Sequence, residues 1–168
     1  PDREGLLETP KRVIKSFNEF YAGYSQDPEI LLSKTFEDIE GYNDIVLLKN
    51  INFESHCEHH MVPIIGKASI AYYPNKRVVG ISKLARIVDH HALRLQNQER
   101  ITNDVVNDLV QHINPLGAAV IIQASHGCMR CRGVKKQNAL MTTSAMRRVF
   151  FEKQEARNEL MQLFEYAS

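Results

Sequence analysis

The stretch Glu54-Ser55-His56-Cys57-Glu58-His59-His60 holds one cysteine, three histidines and two glutamates, in a chain of 168 residues with only three cysteines and seven histidines. These side chains bind borderline-soft metal ions and pass protons near neutral pH. Cys57 and His60 stand in C-x-x-H spacing, which can set a thiolate and an imidazole on one ion across a tight turn. Two donors hold zinc poorly, so a third must come from elsewhere, and Cys128 and Cys131 are the candidates. On an extended strand these two would point to opposite faces, and one would turn away from the ion. Three protein donors leave a fourth tetrahedral position for water, which is the pattern of a catalytic rather than a closed structural site. His59 is better placed to handle protons than to bind the same ion as His60. On a strand His126 would share a face with Cys128 and aim at the same region. His56, His90, His91 and His112 read as structural or solvated.

Other groups gain meaning only in company. Ser82, Lys83 and Arg86 open a helical stretch, and a helix N-terminus favours anions. Taken alone, Lys83 and Arg86 read as a solvated helix face. Gln96, Gln98 and Glu99 read as helix-surface polar groups, and Arg12 and Lys15 as an exposed helical stripe.

The elements that must position these groups alternate in type. Residues 8–24 open as a helix with Thr9 as N-cap and Pro10 as first helical residue, with a short helix to follow near residues 28–34. Residues 44–55 read as a strand, and residues 66–74 and 77–82 as a hairpin around Pro74-Asn75. Residues 82–113 are helical, with Ser82 as N-cap and a break near residues 96–99 that gives two helices. Residues 118–134 form a strand with a bend at Gly127, residues 140–151 another strand, and residues 153–167 a closing helix. This order predicts an α+β fold, an antiparallel sheet with helices on one face.

Composition narrows the class. The chain is 43% hydrophobic and 24% charged, ordinary values for one globular domain with a real core. The formal charge of +1 argues against binding nucleic acid by bulk electrostatics. No apolar run reaches the length of about 18 residues that a membrane span requires. Three cysteines make a poor disulfide framework, and a reducing compartment, the cytoplasm, is expected.

The motifs CEHHMVPIIGKASIAYYP, GISKLARIV, RLQNQERIT and SHGCMRCRGV, with EGLLETPKRV near the start, together resemble the GTP cyclohydrolase I family. Their order and spacing are kept over nearly the whole chain. The resemblance implies the tunnelling fold: antiparallel strands with a helix pair on one face, plus an N-terminal helical region. Residues 1–44 would form that region and residues 45–168 the catalytic unit. It also implies pentameric barrels that stack into a homodecamer, with active sites between subunits. Cys57, His60 and Cys128 match the family's zinc ligands, which leaves Cys131 as a packed strand residue. His59 and His126 match histidines that manage protons, with Ser82 a further candidate at the ribose. Gln98 and Glu99 match the pair at the guanine pocket. Ser82, Lys83, Arg86, Arg132, Arg12 and Lys15 match the triphosphate site. The expected reaction is GTP plus water giving 7,8-dihydroneopterin triphosphate and formate, the first step of folate and pterin biosynthesis. The competing readings are a non-catalytic zinc-containing nucleotide-binding module and a related tunnelling-fold enzyme of pterin or deazapurine chemistry. Two departures stand out. Arg147-Arg148 occupies a place where the family usually has a small residue, often glycine, and Asn97 is more polar than the usual apolar residue.

Overall fold

The computed structural model describes residues 2–37 and 41–166. Its centre is a five-stranded sheet in the order β5-β2-β3-β6-β7, formed by β2 (Val46–Cys57), β3 (Pro63–Tyr73), β5 (Leu95–Gln96), β6 (Gly117–His126) and β7 (Met141–Arg148). All neighbours are antiparallel except the short β5, which runs parallel to the end of β2. Strand β2 buries one face of this sheet: Ile51, Phe53, Ser55 and Cys57 are buried while Asn50, Asn52 and Glu54 are exposed, the period of two that a half-buried strand requires.

The buried face is covered by α4 (Ile81–Ala92) and α5 (Gln98–Asp108). Leu84, Ile87 and Val88 of α4 and Ile101, Val105 and Val106 of α5 are at most 1% exposed and pack on Phe53, Ile70, Val120 and Ile122. A π-helical turn, Leu109–Ile113, extends α5. A smaller core lies elsewhere, where Phe150 and Leu160 meet Ile45, Ala71, Ala119 and Met146. Phe150 belongs to α7 (Val149–Glu152) and Leu160 to the closing α8 (Gln154–Tyr166).

The N-terminal region is helical, with α1 (Glu4–Leu7), α2 (Thr9–Phe20) and α3 (Pro28–Leu32). Gly23 seats it against α4. Its N–H donates to Leu93 O at 3.0 Å, and a Cβ there would lie 2.2 Å from His90 O, so only glycine allows the approach.

Several boundaries differ from the sequence reading. Helix α2 begins at Thr9 with Glu8 as its cap, so Pro10 is the second helical residue. Helix α4 is capped by Gly80, which puts Ser82 inside its first turn. No hairpin forms around Pro74-Asn75: β4 (Val78–Val79) pairs with β1 (Thr35–Phe36), not with β3. Strand β6 stops at His126 and the chain enters the helical turn α6 (Gly127–Arg130). The expectation that Cys128 and Cys131 lie on a strand therefore fails. The break between the two long helices, expected near residues 96–99, lies slightly earlier at residues 93–97, and β5 occupies it.

Candidate active site

Strand β2 ends at Cys57 and the chain reverses at once. The N–H groups of His60 and Met61 both donate to Cys57 O, Met61 takes the left-handed conformation, and Cys57 N–H donates to Val62 O at 2.9 Å. This turn carries His60 back over Cys57, with Nδ1 3.7 Å from Sγ. Strand β6, paired to β3 with His126 opposite Ile64, delivers α6 to the same place. One ligand atom each from Cys57, His60 and Cys128 then lie within 4.8 Å of one another. Cys131 is exposed and outside this group. The two cysteines are separated by their positions on a helical turn, not by alternation along a strand.

The donors suit a zinc ion. Burial, and then the neighbouring Cys57, push the Cys128 thiol up. A second thiolate beside a first is costly without a cation between them, and two thiolates with an imidazole form a soft set of the kind zinc takes. Arg132 Nη1 donates to His60 Nε2 at 2.9 Å, which leaves Nδ1 turned to Cys57. His59 Nδ1 also lies 3.7 Å from Cys57 Sγ, but His59 is not among the three residues whose ligand atoms converge.

The other wall is the start of α5. The parallel pairing of β5 with His56 and Cys57 puts Asn97, Gln98 and Glu99 beside the donor turn. Asn97 accounts for its own departure from the family pattern. Its Oδ1 caps α5 by accepting from Arg100 N–H at 2.9 Å, and its Nδ2 donates to Glu58 Oε1 at 2.9 Å. Glu58 also accepts from Arg100 Nη1 at 2.7 Å, so one carboxylate ties the donor turn to the helix end. These two donors hold the Glu58 carboxyl below its usual range. Sequence reading passed over Glu58 and Arg100, whose only signal was their place inside the CEHH and QER motifs.

Glu99 is exposed in the first turn of α5 and lines a recess of about 190 Å³ with Thr102, Asn103, Thr143 and Ser144 at the edge of β7. Gln98, expected beside it as a base contact, points inward and is fully buried. Its amide meets Ile122 O, Met141 O, Thr143 Oγ1 and His126 Nε2. His126 is pushed down by burial, and the nearby Glu99 carboxylate opposes that shift.

The triphosphate candidates are not gathered here. Ser82, Lys83 and Arg86 lie in the first half of α4, whose other end leads to β5 and the donor turn. Helix α4 has 12 residues and is about 18 Å long, and Ser82 stands at the end away from β5 and the donor turn of its own chain. Arg12 and Lys15 are exposed on α2. The far end of α2 reaches the site region, where Phe20 and Tyr21 pack on the His56 ring at centroid distances of 4.6 and 5.7 Å. Among the candidate cations, all of them described residues, only Arg132 is hydrogen-bonded to the donor group.

A second group, His90, His91 and Asp108, also brings ligand atoms within 4.8 Å. Two of its nitrogens already have partners, His90 Nε2 facing Arg94 Nη2 at 2.8 Å and His91 Nε2 facing Asp108 Oδ2 at 2.7 Å, while His91 Nδ1 is buried without a hydrogen-bond partner. A guanidinium on that rim disfavours a metal ion, and the group reads as a structural link between α4 and α5.

An antiparallel sheet backed by a helix pair, with soft donors and a half-buried histidine at the ends of its central strands, defines a tunnelling-fold protein with a centre able to hold a metal. A solved structure, an archaeosine synthase QueF-Like protein in the apo form, shares this fold at a TM-score of 0.53 and 19% identity, covering 62% of this chain and 94% of that one. The family model for GTP cyclohydrolase I matches residues 1–165. The GTP cyclohydrolase 1 of Pelagibacter ubique is 56% identical over 144 residues, covering 86% of this chain and 71% of its own. That of Brucella canis is 52% identical over 163 residues, covering 97% of this chain and 76% of its own. The chain belongs to the GTP cyclohydrolase I family.

Proposed function

We propose that this chain is a zinc-dependent GTP cyclohydrolase I, which opens the imidazole ring of GTP with water, releases formate and closes ribose carbons into the pterin ring of 7,8-dihydroneopterin triphosphate. The observation that carries the reading is the convergence of Cys57, His60 and Cys128 within 4.8 Å, beside His126 and Glu99. Zinc held by these three donors would supply a water made acidic enough to act as a nucleophile near neutral pH.

The chain's own residues do the rest. The half-buried His126 and the exposed His59 exchange protons with the purine and the ribose, and Ser82 serves at the ribose. Glu99 accepts from the ring N–H and amino group of guanine, an edge that adenine lacks. A metal held through His60 Nδ1 would leave Nε2 protonated and unable to accept from Arg132. That guanidinium would then be free for phosphate oxygens. Ser82, Lys83, Arg86, Arg12 and Lys15 complete the triphosphate site, since a ligand of about four negative charges needs several donors together.

The separation of the α4 cations from the donor turn supports a site built from more than one copy of the chain. Two sheet edges support it further. Among the described residues β7 pairs only with β6, and β2 has no partner beyond β3 except at His56 and Cys57. Unpaired edges of this length invite strand addition, and joining them between copies closes barrels of the kind expected for a decamer of stacked pentamers. The N-terminal region, residues 1–44, would add contacts around the catalytic unit, residues 45–168. No described helix is long and apolar enough to cross a membrane, which is consistent with the cytoplasmic location proposed here.

The test is GTP turnover by protein of measured metal content, with formate and pterin followed separately, before and after chelation. Both products, lost together with the metal and restored by zinc, are expected. Zinc-loaded, assembled protein that makes neither product would overturn the reading in favour of a nucleotide-binding module.

A further inference from the structure

Gln98 is 0% exposed, and both ends of its side-chain amide are engaged within the chain. One end stands 3.2 Å from Ile122 O, 3.0 Å from Met141 O and 3.0 Å from Thr143 Oγ1. Two of these partners are main-chain carbonyls, which can only accept, so this end must be the NH2 group. The other end is then Oε1, 2.8 Å from His126 Nε2. An amide oxygen has no hydrogen to give. The hydrogen in that bond belongs to His126 Nε2, and neutral His126 keeps its only bare lone pair on Nδ1.

The order of donors continues behind Gln98. Thr102 Oγ1 donates to Gln98 main-chain O at 2.7 Å, which uses its only hydrogen. In the 2.7 Å contact between Thr102 and Thr143 the donor is therefore Thr143. Thr143 Oγ1 keeps its lone pairs for the Gln98 amide. Strands β6 and β7 and helix α5 thus fix one orientation of one amide, and that amide fixes one tautomer of one histidine.

We propose that Gln98 is a positioning residue for His126, that Thr143 with Thr102 holds it in that role, and that His126 exchanges protons with substrate through Nδ1 alone. Gln98 does not read the purine, and Glu99 alone does so from α5. The proposal rests on the reading of His126 as the proton-handling residue of the ring-opening reaction.

The test uses the zinc-loaded full chain and formate release from GTP. Thr143→Val lowers kcat by about tenfold, and Gln98→Ala by about a hundredfold, the lower limit of what a proton-transfer residue contributes. The KM for GTP and the preference for GTP over inosine triphosphate stay as in the parent, and Thr143→Ser restores kcat. A neutron structure of the parent shows deuterium on Nε2 of His126. A raised KM with kcat retained, or a lost preference against inosine triphosphate, would place Gln98 on the base and overturn the proposal. Deuterium on Nδ1 with none on Nε2 would overturn the tautomer. His126→Ala at parental kcat would sink the underlying proton-transfer reading and the catalytic part of this one. Full loss in His126→Ala with no change in Gln98→Ala and Thr143→Val would sink this proposal alone.

Discussion

At the scale of single residues, chemistry separates look-alikes that spacing could not. Cys128 and Cys131 differ in whether the sulfur faces Cys57. Cys128→Ser is expected to lose bound zinc and formate production together, while Cys131→Ser retains both, as read by metal analysis and turnover on the same preparations. An emptied site in Cys131→Ser would show that the ligand assignment is wrong. In the proposed function Glu99 carries the choice of base. A carboxylate left facing adenine is unpaired, and a site built to hydrogen-bond its substrate rejects an analogue lacking those groups by about 10⁴-fold or more. Comparable turnover of ATP and GTP would remove Glu99 from the base pocket.

At the scale of elements, the chain turns mostly on residues that pin one element to another. Glu58 joins the donor turn to the cap of α5, and the short β5 sets that cap beside Cys57. Arg148 does the same at the end of β7. It holds φ 58° and ψ −130°, a conformation that favours glycine, and its guanidinium donates to Asn114 Oδ1 at 2.7 Å and to Pro115 O. Arg147 ties the strand to α5 through Asn103 and Asn107. The arginine pair thus replaces the family's small residue by trading backbone strain for cross-links. Arg148→Ala keeps the strain and loses the bonds, and is expected to cost about 1–3 kcal/mol. Arg148→Gly loses the bonds but also the strain, and should lie closer to the parent in thermal unfolding. Equal melting temperatures for the alanine and glycine variants would show that the strain is not stored there.

At the scale of the whole molecule, the helix pair is stapled by buried polar groups as well as by apolar packing. His90 is 1% exposed, and burial, then the neighbouring His91 and Arg94, push it down to about 4 from the ordinary 6.5. Arg94 Nη2 meets its Nε2 at 2.8 Å, a bond that only the unprotonated nitrogen can accept. The unfolded chain therefore binds this proton first as pH falls. Stability is fully present above pH 6.5, declines as pH falls towards about 4, and loses nothing further from this group below that. Denaturant unfolding across this window should show a slope that His90→Phe reduces. An unchanged slope would mean that His90 is protonated in the folded state.

The sequence by itself determined the types of chemistry and most of the elements. The C-x-x-H turn, the two amphipathic helices and the alternating strand β2 are local patterns, because capping, helical period and strand alternation act over a few residues. The motif set carried the family as well. Tertiary structure decided what depends on distant neighbours. It decided that the chain past His126 turns helical, so that Cys128 meets Cys57 without any help from strand alternation. It decided that β4 pairs with β1, and that Gln98, polar and at a helix start, points into the core. Hydrogen-bond partners for Gln98 come from β6 and β7, 24 to 45 residues further along the chain, and no local rule reports which amide will find such partners. The split of the proposed triphosphate site from the donor turn has the same origin. It follows from the direction in which α4 runs across the sheet, and only packing sets that direction.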